Sequence, residues 1–567
     1  AGETPSPGMV AAAGALGALR PAAAWGALAA VAAGAAILVA FLGPTRIMGH
    51  VPLPKEPAVL VAEAKAILRD AGQSSAPADE AWGFRSNDRY LEHLEEQEKP
   101  RLLERLGSGP RSGLLFWYRR SPWPLVPVDA VSHRMSPDDP PNSRPGMSIV
   151  WLDTEGRLVM LETVPPEQAP ETPPPAVSEP AWDALLAAAG LAKADLVDVP
   201  LRWNPPFHSD RRVAWEAPAP GEPPLTIRVE GASYLGRPVS FRVIGPWEKA
   251  AAVDGERAGL ADKVQFALGA VLLIGTMLGG LILALRNLRL GRGDLRGAQR
   301  VAAVYIVLHM AGWLLWGKHA WDGLALVSSF FGNLSWTLWE GLSLFTLYLG
   351  LEPFVRRRWP DSLISWSRLL AGRFGDPLVG RDLLWGCALG IMVMLLDLGE
   401  RLTTIWLGRL PLRTDSGDLN MLLGVRLVAG ETIDLLLHSL LIPMLVLVLF
   451  LLLTALLRRP WAAVLMVLVI GLLPEAINPA TPWFSLVIGA AWISVLLFAV
   501  VRLGLVAGVA TVASSTLFQA SPITAHLSSW YAGPTIAVLI VLGAMAGYGF
   551  FTSLGGRSPF GGGLLRE

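Results

Sequence analysis

The sequence predicts a polytopic α-helical membrane bundle of about ten spans, with an extracytoplasmic α+β domain between spans 1 and 2. Three observations predict it. Mean hydropathy is +0.44 over 567 residues, with 52% apolar and 17% charged side chains, which lies outside the soluble globular range. Apolar runs long enough to cross about 30 Å of hydrocarbon recur along the chain. Between the first two of them, residues 51–257 carry charges, prolines and short alternating patterns instead.

Residues 1–21, rich in Gly, Pro and Ala, read as a cytoplasmic juxtamembrane linker. The chain opens with Ala1 rather than Met, as expected of a fragment or a processed product. Residues 22–43 form the first span, too long for a signal-peptide core. In the following domain, a helix over Val59–Ala71 ends at Gly72, a C-cap residue. An aromatic strand follows over Leu114–Tyr118, then a hairpin over Met147–Leu161 turning at Asp153–Gly156. After a proline-rich connector, Pro165–Pro180, the order recurs. A helix over Ala181–Leu191 precedes a strand over Val213–Glu216 and a hairpin over Leu225–Val243, which predicts two similar units.

Residues 264–285 form the second span, and RNLRLGRGDLRGAQR after it carries five arginines against one aspartate. Lys and Arg collect on the cytoplasmic side, so that end is inside and the 51–257 domain outside. A polytopic domain over 301–553 follows, its spans starting near 301, 324, 383, 431, 461, 484, 503 and 534. The tail, 554–567, returns to the cytoplasm. The basic segment Leu351–Arg381 is an inner loop. Its Leu363, Trp366, Leu369 and Leu370 share a helical face, which fits either an interfacial helix on anionic lipid or a helix packed under the bundle. Arg356, Arg357, Arg358, Trp359, Trp366 and Arg368 are its membrane-interface residues.

Few residues point to chemistry. The single cysteine, Cys387, excludes an internal disulfide framework. Forty-seven basic residues balance forty-seven acidic ones, so no global field draws the chain to nucleic acid. No G-x-S-x-G elbow, P-loop or H-E-x-x-H occurs. His133-Arg134 lacks the Asp of a kinase catalytic loop, and Phe374-Gly375-Asp376 does not reproduce D-F-G. Ionisable residues within apolar runs are the remaining candidates, because charge in lipid is costly and marks function. Glu431, Asp434 and His438 fall along one helical face, and Glu340 lies within its span with His309 or an arginine as a partner. The first three suit a cation or proton site, or else carboxylates at the outer interface with His438 hydrogen-bonded to a neighbouring helix, and Glu340 suits structural pairing; together the four are the candidate intramembrane polar site.

The phrases GETPSPGMVAAAG, LLFWYRRSPWPLVP, DTEGRLVMLETVPP, LEPFVRRRWPDSLISWSRLLAGRFGDPLVGRDLL and GYGFFTSLGGRSPFGG resemble the carboxy-terminal half of a group of large bacterial receptor-type serine/threonine protein kinases. The resemblance implies a kinase domain joined ahead of residue 1, in the cytoplasm of the bacterial inner membrane, with both ends of this chain inside. It implies ATP and Mg for that domain only, and no cofactor or catalytic residue here. The expected function is sensory and regulatory, with the lipid bilayer, the attached kinase domain and a second copy of the chain as partners. A transporter or intramembrane enzyme using Glu340, Glu431, Asp434 and His438 is the alternative.

Overall fold

The computed structural model describes residues 17–97, 112–128, 134–168, 180–218, 225–248, 260–319, 322–359, 361–408, 419–477 and 482–559. The first sixteen residues of the linker, most of the proline-rich connector, the segment 409–418 and the last eight residues of the tail lie outside them. The first helix, α1 (Pro21–Phe41), carries no charged side chain and is long and apolar enough to cross a membrane. Arg46, just beyond it, is buried and donates to the carbonyls of Phe518 at 2.7 Å, Gln519 at 2.6 Å and Ser521. A cation there satisfies carbonyls that a helix end leaves open.

The sheet domain follows. Helix α2 (Pro57–Asp70) ends in a Schellman-type cap, with Gly72 at φ +80° and the Gln73 N–H donating to Leu68 O at 2.9 Å. Strand β1 (Asp79–Ser86), helix α3 (Asp88–Gln97), and strands β2 (Leu114–Ser121), β3 (Ser148–Asp153) and β4 (Leu158–Thr163) make the first half. Helix α4 (Trp182–Ala188) and strands β5 (Val197–Asp198), β6 (Arg211–Pro218), β7 (Thr226–Tyr234) and β8 (Arg237–Ile244) make the second. Each half has a leading helix, α2 or α4, and a four-strand antiparallel meander, with α3 inserted between β1 and β2 of the first. The meanders join at their last strands, β4 and β8, in register Leu161↔Phe241, giving one eight-stranded sheet of order β1-β2-β3-β4-β8-β7-β6-β5. Alternate residues Phe116, Tyr118, Val150, Leu152, Leu161, Ile227, Val229 and Phe241 share one core with Leu60 and Ile67 of α2 and Leu185 of α4.

Ten helices follow among the described residues: α5 (Leu260–Arg289), α6 (Leu295–Trp316), α7 (Gly323–Arg358), α8 (Asp361–Leu370), α9 (Pro377–Trp406), α10 (Val425–Leu457), α11 (Pro460–Ile477), α12 (Trp483–Phe498), α13 (Leu505–Gln519) and α14 (Gly533–Ser553). Eight helices of the described chain, α1, α5, α6, α9, α10, α11, α12 with the π-helical turn Ala499–Leu503 that continues it, and α14, are long and apolar enough to cross a membrane, the architecture of a polytopic helical membrane protein. The predicted count is near ten, and the two others differ for physical reasons. Helix α7 turns a polar stripe, Asn333, Thr337, Glu340 and Ser343, into the bundle, which lowers its hydropathy. Helix α13 has only fifteen residues, yet twelve are buried by neighbouring helices rather than left to lipid.

The segment expected to be a loop from Leu351 is helical as far as Arg358, because Leu351, Glu352, Val355 and Arg356 are buried in continuation of α7. Of the two readings of the next helix, α8 takes the packed one: Leu363 is 1% and Trp366 4% exposed, against residues of α7, α10 and α13. Helices α9 and α13 meet through Gly386 and Gly390, a small-residue pair four apart. A Cβ at Gly390 would lie 2.5 Å from Thr511 O. We expect Gly390→Val to cost about 1–3 kcal/mol through overpacking, read as a lower melting temperature in detergent. Gly275→Ala, with nothing within 4 Å, should leave melting unchanged.

Candidate functional site

Three helices bring the polar side chains together. Helix α6 places Tyr305, His309 and Trp316 along one buried face, at spacings of four and seven. Helix α7 contributes Thr337 and Glu340, and α10 contributes Glu431, Asp434 and His438. All four residues singled out in sequence lie in one cluster. Tyr305 Oη donates to Glu340 Oε2 in a short hydrogen bond, and His438 Nε2 stands 3.3 Å from Glu340 Oε1. His309 Nε2 is 3.7 Å from Glu340 Oε2 and 3.6 Å from Asp434 Oδ1.

The hydrogen bonds fix where protons must be. Thr337 Oγ1 donates to Asn333 O at 2.7 Å, so at 2.8 Å it accepts from His309 Nδ1. His438 Nδ1 faces the Asp434 carbonyl at 3.0 Å, an acceptor only, and therefore donates. At His438 the remaining nitrogen, Nε2, stands close enough to Glu340 Oε1 to hold a proton between imidazole and carboxylate, whereas His309 Nε2, at 3.6 and 3.7 Å, makes an electrostatic contact only.

A sixth charged group comes from outside the bundle. Arg134, on the loop before β3, places Nη2 2.7 Å from Glu431 Oε2 and 3.2 Å from Asp434 Oδ2. Its guanidinium centre lies 5.3 Å from the Trp316 ring centroid. Three carboxylates thus face one guanidinium and two imidazoles, and the set is neutral when both imidazoles are protonated. Neutrality matters because an uncompensated buried charge is expensive. The cluster descends from the junction with the sheet domain, at Glu431, to His438 about 10 Å further along α10.

A second tie runs the other way across the junction. Lys318, just after α6, pairs with Asp79 Oδ1 at 2.9 Å and donates to Glu80 O at 2.7 Å. Burial pushes its ammonium below the ordinary lysine value, which the Asp79 carboxylate opposes. Trp530, before α14, stacks on Phe84 of β1 at 6.2 Å and donates to Leu53 O at 2.9 Å. Leu419 and Leu422, before α10, lie in the core of the sheet domain. Between these ties a cavity of 360 Å³ is lined by Trp82, Arg134, Trp316, Lys318, Arg426 and Glu431, among others.

The predicted membrane-interface residues lie elsewhere, with Arg356 about 24 Å from Glu340 along α7. Arg356 is buried, pairs with Glu352 at 2.7 Å and donates to Arg292 O at 3.1 Å. Arg368 is buried against Asp376 at 2.8 Å, Trp366 is buried, and Trp359 stacks on Phe450 at 5.5 Å. Arg357 and Arg358 are exposed. Among the described residues, no group of three or more His, Cys, Asp and Glu side chains is arranged to hold a metal ion.

Sequence reasoning missed Arg134, Tyr305, Trp316 and Lys318 as members of the site. Tyr305 and His309, four apart in an apolar run, carried a usable signal; Arg134, in an irregular loop, carried none. Comparison with known proteins finds no matching family, no similar curated protein and no similar solved structure.

A double-mutant cycle of Arg134→Ala and Glu431→Gln should give a coupling energy of roughly 1–3 kcal/mol in thermal or denaturant unfolding. The exposed pair Lys193–Asp183, 2.7 Å apart with both side chains more than 70% exposed, should give under about 1 kcal/mol in the same measurement.

Proposed function

We propose that this chain is the membrane-embedded sensory and regulatory region of a bacterial receptor-type serine/threonine protein kinase. The sheet domain lies outside the cell, about ten spans hold it to the inner membrane, and a cytoplasmic kinase domain precedes residue 1. The observation that carries the sensory reading is the Arg134 contact: a side chain of the sheet domain neutralises carboxylates that belong to the bundle's buried network. A change in the domain's position or ligation therefore alters the domain's hold on α10. The kinase attribution rests on the sequence resemblance.

The arrangement of basic residues supports the orientation. Arg356 donates to Arg292 O at 3.1 Å and Arg300 to Leu370 O at 2.5 Å, so the loops after α5 and α7 gather at one end of the bundle. Leu19 N donates to Ser553 O at 2.8 Å, and Tyr548 Oη to Phe374 O, which puts the linker and the end of α14 at that same end. The sheet domain sits at the other, beside Lys318 and Glu431. Arginine-rich loops face the cytoplasm.

Signal passage runs through α1. It shares a core with α9, α13 and α14, and is tied at its outer end by Arg46, so displacement of the domain bears on the helix that leads to the linker. A second reading, a transporter or intramembrane enzyme, is favoured by one observation: the Tyr305, Glu340 and His438 contacts form a proton-bearing chain in mid-bundle, with His309 beside it at 3.7 Å.

Two experiments test the proposal. A cysteine at Ser74, exposed in the sheet domain, should react with an impermeant maleimide from outside intact spheroplasts, and one at Gly375 only from inside; the reverse pattern would invert the topology. In the full-length receptor, Arg134→Ala should change autophosphorylation at least threefold, a modest allosteric coupling. Autophosphorylation unchanged both by that substitution and by deletion of 51–257 would contradict the sensory role. Proton-coupled transport in vesicles, lost in Glu340→Gln, would favour the second reading.

A further inference from the structure

We propose that the mouth of the junction cavity is a binding site for a small soluble organic cation, one with a guanidinium or primary ammonium head, and that Arg134 is the tethered cation such a ligand displaces. The inference rests on the reading of Arg134 as the contact that couples domain to bundle. It names the chemical class that would act there.

The slot has the parts of a cation receptor. Glu431 Oε2 and Asp434 Oδ2, one helical turn apart, converge on the same guanidinium nitrogen at 2.7 and 3.2 Å. The Trp316 ring supplies an aromatic face 5.3 Å from the guanidinium centre. Paired carboxylates with an aromatic platform recognise a planar or compact cation through charge-assisted hydrogen bonds and cation–π attraction.

The walls are fixed and the occupant is the movable part. Glu431 and Trp316 are 6% and 8% exposed. Their helices touch at Gly430, where a Cβ would lie 2.9 Å from Trp316 N, so α6 and α10 hold the carboxylate and the ring at a set spacing. Arg134 reaches the slot from an irregular loop with its side chain 27% exposed. A receptor pre-organised on helices and filled by a loop side chain is the geometry of a competitive plug.

The adjoining cavity sets the rest of the class. Its 360 Å³ lies within the range of small-molecule pockets, and Trp82, Leu423 and Leu427 offer apolar surface for a short stem. Lys318, paired with Asp79, and Arg426 line it too, with Glu80 opposite in charge. The ligand class is therefore a monocation or a zwitterion whose anionic end meets Arg426. The exchange is non-covalent: one cation leaves as another enters, so the charge of the carboxylate and imidazole network is unchanged while the domain's hold on α10 is lost.

Equilibrium dialysis of the purified chain in nanodiscs against radiolabelled methylguanidinium tests the site. Arg134→Ala, which empties the slot, should bind one equivalent at least tenfold more tightly than wild type, a difference of about 1.4 kcal/mol. Adding Glu431→Gln to it should abolish that binding, and Arg134→Lys, which refills the slot with an ammonium, should bind as weakly as wild type. Arg134→Gln, closer in size to arginine, is run beside the alanine variant, and the one that elutes monodisperse decides. Equal binding by wild type and the emptied variant, no binding by the emptied variant at millimolar probe, or binding that survives Glu431→Gln would each overturn the site. If the emptied variant binds but receptor autophosphorylation is unaltered, the site stands and the sensory reading fails. Altered autophosphorylation without binding leaves the coupling and removes the site.

Discussion

The structure depends most on one guanidinium placed between two carboxylates at the boundary of sheet domain and bundle. Glu431 and Asp434 lie on a helix whose other residues are almost all apolar, and Arg134 brings one guanidinium to both of them. Burying a charge without a partner costs several kcal/mol, and removing one partner of a buried pair leaves that cost standing. The carboxylates continue through two imidazoles to Glu340 and the Tyr305 hydroxyl. Hydrogen-bonded networks of this kind are costly when partly satisfied and specify one arrangement when complete. The sheet domain thereby supplies a charge that the helical bundle needs.

Other ties make the dependence mutual. The bundle sends Lys318 to Asp79 and Trp530 to Phe84, and the domain's core takes in Leu419 and Leu422 from the segment before α10. Aromatic stacking and apolar burial give these ties adhesion, whereas the ion pairs give them register. Arg46 adds a further tie at the foot of the domain, where it gathers the last carbonyls of α13. Movement of the sheet domain is therefore felt by α1, α10 and α13 together. Discrete packing alternatives, rather than smooth deformation, are how such linked interfaces transmit a change.

Much of this was legible in the sequence. Length and hydropathy located the membrane helices, and turn chemistry located six of the eight strands, β1 and β5 being missed along with α3: Gly72 at φ +80° and Gly156 at φ +86° occupy left-handed positions at the ends predicted for a helix and a hairpin turn. Periodicity placed Glu431, Asp434 and His438 on one face, and charge in an apolar run marked Glu340. What the sequence could not show was the partner across space. Arg134 stood out only as the second residue of an incomplete kinase motif, because nothing local in a loop says which helix it will reach. The arginines near residue 356 show the same limit: Arg356 and Arg368 are buried against Glu352 and Asp376, partners that nothing in the charge pattern of the segment announces.

The most direct test of the account is amide hydrogen exchange of the whole chain in nanodiscs, comparing wild type with Arg134→Ala. If the guanidinium holds domain and bundle together, exchange should rise both in the loop around Arg134 and across the first turns of α10, from Val425 to His438, with α11 and α12 unchanged. An increase confined to the loop, with α10 as protected as in wild type, would contradict the coupling on which the account stands.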